Sequence, residues 1–75
     1  MAIAIDLSAP PPLLGLVCRA NAAEARQFAL ATDGPTERAI WLDVAALWDL
    51  VAATGLPRLR EIAQRRTADA FARLL

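Results

Sequence analysis

The stretch Gln27–Gly55, QFALATDGPTERAIWLDVAALWDLVAATG, decides how the rest of the chain is read. It holds both tryptophans, Trp41 and Trp48, and most of the large apolar residues that could make a core. Phe28, Leu30 and Thr32 alternate with Gln27, Ala29 and Ala31. Beyond Asp33-Gly34-Pro35, Arg38, Ile40 and Leu42 alternate with Glu37, Ala39 and Trp41. Alternation of period two predicts strands, and a Gly turn between two short apolar runs predicts a hairpin. Pro35 beside Gly34 makes that turn longer than two residues. On this register Trp41 lies on the sheet face opposite Ile40 and Leu42. A tryptophan on the outer face of a small sheet is a docking anchor, since aromatic residues dominate interface energetics. The structural alternative is that Trp41 closes the edge of the core.

The helix after the hairpin carries the clearest signals. Asp43 is an N-cap residue type. Val44, Leu47, Trp48 and Val51 follow at i, i+3, i+4 and i+7, one apolar stripe, and the alanines between them favour helix. Gly55 suits the position just past a helix end, and Pro57 prevents continuation. Pro57 in turn suits the first turn of a second helix, whose apolar side is Leu59, Ile62, Ala63, Ala70, Phe71 and Leu74. Arg66 and Thr67 interrupt that stripe. Either Arg66 snorkels across the surface, or Thr67 caps a separate final helix.

Working back toward the N-terminus, Leu13–Arg19 reads as a strand with Leu14, Leu16 and Cys18 on one face, and Gly15 within it either weakens the strand or marks a bulge or a close backbone approach. Ala2–Leu7 alternates like a short half-buried strand. Ser8–Pro12 (SAPPP) must leave the sheet, because proline has no N–H to donate. It reads as a stiff connector, with a proline-rich ligand for an adaptor groove as the functional alternative. Asn21 followed by Glu24 matches a capping box, so a helix from Ala22 to about Ala31 competes with the strand reading there. The expected fold is therefore α+β: a small antiparallel β-meander of three to four short strands followed by two C-terminal α-helices. The alternative is an all-α three-helix bundle.

With 75 residues, the chain reads as a single domain, 1–75. A domain of this size has a marginal core unless a disulfide, a metal or a partner supports it. One cysteine, Cys18, excludes an internal disulfide. With no histidine, the residues provide no zinc ligand set. Association remains, and a hydrophobic content of 57% agrees with it, although 18 alanines account for part of the excess. The eight basic residues are all arginine. Enrichment in Ala, Arg, Leu and Pro without lysine looks like the coding bias of a GC-rich bacterial genome. The charge is split. Residues 1–55 carry three arginines against six acids, a net −3, and residues 56–75 carry five against two, a net +3. Absence of a basic leader, a free thiol and no long apolar run point to the cytoplasm and not to a membrane.

Catalysis needs groups that exchange protons or attack near neutral pH. There is no His, Lys or Tyr, and the only serine is Ser8. Cys18 has no histidine to pair with, and the three glycines are too scattered to cradle a phosphate. The expectation is a non-enzyme without cofactor or metal: a protein–protein interaction module, either a small subunit, adaptor or inhibitor on a larger protein, or a homodimer. Trp41 is its candidate anchor. The second function class is a nucleic-acid-binding transcriptional regulator. Ala52–Ile62, AATGLPRLREI, loosely resembles the turn of a helix-turn-helix, although the position six after the glycine, normally apolar, is Glu61. That resemblance implies phosphate contacts from the Arg-rich C-terminal helix, from Arg58, Arg60, Arg65 and Arg66, with Arg58, Arg65 and Arg66 as the candidate site residues.

Overall fold

A computed structural model describes residues 14–74 of the chain. They form three helices: α1 Leu14–Ala31, α2 Pro35–Thr54 and α3 Pro57–Ala72. Among the described residues there is no strand. The expected β-meander is thus corrected to the all-helical alternative. The proposed strands at Ala2–Leu7 and the proline connector Ser8–Pro12 lie outside the described residues.

Three features explain why helix wins over the alternating reading. Runs of about six residues fit a period of two and a period of 3.6 nearly equally well. Alanine, the strongest helix former, supplies six of the 18 residues of α1. In helical register, Cys18, Ala22, Ala25 and Ala29 then fall on one buried face. Over residues 14–19 the expected strand is replaced by the first turns of α1, and Leu13 lies outside the described residues. The capping-box helix was the better reading of residues 22–31, but α1 starts earlier and Asn21 is a buried interior residue.

The Asp33-Gly34-Pro35 turn exists, but it joins two helices. Gly34 is the N-cap of α2 and Pro35 opens the helix, where a missing N–H costs nothing. Arg38 N–H donates to Gly34 C=O at 2.9 Å. Asp43, expected as the N-cap, instead sits inside α2, because the helix begins nine residues sooner. Thr32 closes α1 by donating its hydroxyl to Phe28 C=O at 2.7 Å. At the other end of α2, Gly55 has φ 67° and donates to Val51 C=O at 2.7 Å. This left-handed stop is the one the sequence predicts. Pro57 opens α3 as expected. That helix runs without a break through Arg66 and Thr67 to Ala72, so Thr67 does not cap a separate helix.

α2 is the central element, with α1 and α3 both packed on it. Trp41, Val44, Trp48 and Val51 project from it, each no more than 1% exposed. They fill space left by the small residues Cys18, Ala22, Ala25 and Ala29 of α1 and Ala63, Thr67 and Ala70 of α3. The large side chains thus come mainly from one helix and the room for them from its neighbours. Burying each tryptophan contributes about 2–3 kcal/mol. α1 and α3 meet through the aromatic rings of Phe28, Trp41 and Phe71. Phe28 stacks on Trp41 with centroids 4.7 Å apart, and Phe71 meets both edge-on, at 5.5 and 5.1 Å.

Candidate interaction surface

The core claims only one side of α2. At about 100° per residue, Pro35, Ala39, Leu42, Ala46, Leu50 and Ala53 fall on the opposite side. All six are exposed. Leu42 is 49% and Leu50 45% exposed, so the stripe is not only a row of small residues. It runs most of the length of a 20-residue helix, about 30 Å, without a charged residue on it.

Asp43 and Asp49 flank this stripe, one on each side, and each is paired to a neighbouring helix. On one flank Asp49 pairs with Arg26 of α1. On the other, Arg66 of α3 donates to Asp43 at 2.6 Å; in the first turn of α2, away from the stripe, Glu37 lies 3.6 Å from Arg73. Partner numbers rise along one helix as they fall along the other, so α2 runs antiparallel to both neighbours. All three pairs are about half exposed and each contributes at most about 1 kcal/mol. Their larger effect is to tie the rim charges into neutral pairs beside an apolar strip.

A concavity lies between the first half of α2 and the last half of α3, with a volume of about 680 Å³. Ala39, Ile40, Val44 and Ala70 line it, and Arg66 and Arg73 stand at its edge, both in the ion pairs just described. Among the described residues no group of three His, Cys, Asp or Glu could hold a metal ion. Cys18 is fully buried. Burial raises its thiol above the usual range, and the nearby Arg60 guanidinium partly offsets this. A buried thiol held neutral is a packing group, not a nucleophile.

The residues singled out from sequence fall in different places. Trp41 is 1% exposed, inside the aromatic cluster. Its expected outward position followed from the strand register, and in the helix it points into the core, so it offers no docking anchor. Arg58, Arg65 and Arg66 are exposed on α3, and Arg66 is engaged by Asp43. Trp48 meets Thr67, Asp43 meets Arg66 and Glu37 meets Arg73, so the second half of α3 lies against α2. Leu42 and Leu50 were missed as surface residues. The available signal was Ala39, Ala46 and Ala53 at intervals of seven, which is legible only once α2 is known to begin at Pro35.

The fold and surface together define a class: an antiparallel three-helix bundle whose central helix keeps an aliphatic outer face. Comparison with protein-family models, curated proteins and solved structures gave no match to this chain. Among the described residues no helix is long and apolar enough to cross a membrane.

Proposed function

We propose that this chain is a non-catalytic protein–protein interaction module that docks through the outer face of α2. The observation that carries this reading is the pair of half-exposed leucines, Leu42 and Leu50, on a strip of α2 with no charged residue. Leucine is a costly residue to leave in water, at about 25 cal/mol per Å² of apolar surface. Aligned apolar residues at i, i+4 and i+8 are the way one helix offers itself to another. The neutral ion pairs on both flanks form the polar rim expected around such a strip. A free buried thiol supports a reducing compartment, the cytoplasm.

The test is capture from native lysate by the tagged full chain, with and without nuclease, followed by mass analysis. The expected result is a stoichiometric protein, a second copy included, that survives nuclease and is lost when Leu42→Glu and Leu50→Glu are combined. Both positions are exposed and glutamate is a good helix former, so helicity is expected to persist. Capture that survives the double substitution, or recovery of nucleic acid lost on nuclease, overturns the reading.

A further inference from the structure

The outer stripe of α2 is arranged symmetrically about Ala46. Leu42 and Leu50 lie four residues either side of it, and Ala39 and Ala53 lie seven either side. The stripe therefore reads nearly the same in both directions. A surface meets a copy of itself across a two-fold axis only if it is complementary to its own reverse. An antiparallel pairing centred on Ala46 sets Leu42 against Leu50 of the second copy, and Ala39 against Ala53. A small residue at the centre lets the two helices approach closely, with the leucines filling space on either side.

The rims fit the same operation. Asp43 and Asp49 stand three residues either side of Ala46, on opposite flanks, and each is held by an arginine of its own chain, Arg66 and Arg26. The two-fold axis brings each flank beside its own mate. At these two positions each copy then presents an acid with its base. The antiparallel sense also opposes the two helix dipoles, which favours it over the parallel one. Stable interfaces bury about 1,200–2,000 Å² in total. The paired stretch, residues 39–53, makes a seam about 21 Å long, which falls below that range and makes the dimer weak.

We propose that a second copy of this chain covers the outer face of α2, the two α2 helices packing antiparallel about a two-fold axis at Ala46. This rests on the interaction-module reading and names its partner. An interface this small forms a reversible dimer, so the assembly depends on concentration.

The experiment is sedimentation equilibrium of the full 75-residue chain over a roughly hundredfold range of concentration. The expected result is a mass rising from the 8.0 kDa of one chain to twice that value. Ala46→Glu sets two carboxylates against each other on the axis and is expected to hold the chain monomeric with unchanged helicity. Ala46→Lys is expected to do the same, and an equimolar mixture of the two to recover the dimer. Ala20→Glu, an exposed position of α1, serves as the control and is expected to leave the dimer intact. A wild-type chain monomeric throughout overturns the proposal, as does a dimer indifferent to Ala46→Glu or a mixture that stays monomeric. If Ala46→Glu fails to fold, the wild-type mass and the Ala46→Lys variant still decide. A monomer that nevertheless captures a different protein, lost with Leu42→Glu and Leu50→Glu, ends self-association while the interaction-module reading stands. A monomer that captures nothing ends both.

Discussion

The indole Nε1 of Trp48 donates a hydrogen bond of 2.9 Å to the hydroxyl of Thr67, and Thr67 donates in turn to the carbonyl of Ala63 at 2.7 Å. Trp48 is 1% exposed and Thr67 fully buried. A tryptophan buried in a small core needs an acceptor for its one N–H. Here the acceptor comes from the third helix, so the polar contact fixes how α3 sits on α2. The interruption that Thr67 makes in the apolar stripe of α3 is therefore this acceptor.

Thr67→Val keeps the shape and removes the acceptor. The indole N–H is then buried without a partner, a loss of about 1–3 kcal/mol. Thr67→Ser keeps the hydroxyl and loses one methyl group, about 1 kcal/mol. Urea denaturation followed by tryptophan fluorescence is expected to rank wild type above Ser and Ser above Val. A Val variant as stable as wild type would show that the hydrogen bond does not contribute.

The cluster of Phe28, Trp41 and Phe71 draws one ring from each helix. Phe28→Ala and Phe71→Ala are each expected to cost about 3–5 kcal/mol, and Trp41→Ala to abolish the cooperative transition of so small a domain. Because Phe28 and Phe71 touch edge-on at 5.5 Å, the milder pair Phe28→Leu and Phe71→Leu is expected to show a coupling of about 0.5–1.5 kcal/mol in a double-mutant cycle. Strict additivity of that pair would mean the rings act only through the area they bury.

Two glycines end or begin helices with different requirements. Gly55 has φ 67°, where an L side chain is strained, so Gly55→Ala is expected to cost about 1 kcal/mol. Gly34 has φ −76°, open to any residue. A methyl group there meets the Glu37 side chain, chiefly its carboxylate end, which can shift aside. Gly34→Ala is expected to change stability by no more than about 0.5 kcal/mol, with thermal unfolding by circular dichroism as the readout. Equal losses at the two positions would contradict this account.

Cys18 is expected to react with a thiol reagent only as fast as the chain opens, with the rate rising in urea along the unfolding curve. The same burial has a pH consequence. The folded state holds the thiol proton more tightly than the unfolded state, whose value is near 9.0. The stability this represents is complete below that range and is lost as pH rises from it through the raised folded value. Cys18→Ala is expected to remove that alkaline loss, seen by comparing denaturation midpoints of the two chains on either side of it. A fast reaction in native buffer would mean that α1 opens locally.

The two ends of the chemistry in this chain were not equally visible in its residues. Gly55 and Pro57 dictate a stop and a restart whatever surrounds them, because φ > 0 and a missing N–H are local constraints. The Asp33-Gly34-Pro35 break and the stripe Val44, Leu47, Trp48, Val51 are local in the same sense. The absence of histidine and lysine fixes the available side-chain chemistry before any folding. The period between Leu14 and Leu42 was not decided locally. Short alternating runs suit a strand, and alanine-rich helices show the pattern of their buried face only weakly, since alanine is apolar enough for either side. Packing settled it: three helices bury both tryptophans and Val44 and Val51 of α2 against the small residues of α1 and α3. The same register turned Trp41 inward and Leu42 and Leu50 outward, and it paired Arg66 with Asp43, 23 residues away in the chain. Which apolar residues make the core and which remain to meet a partner is a property of the bundle, because a helix divides its residues by angle and only the neighbours packed on it say which angles are covered.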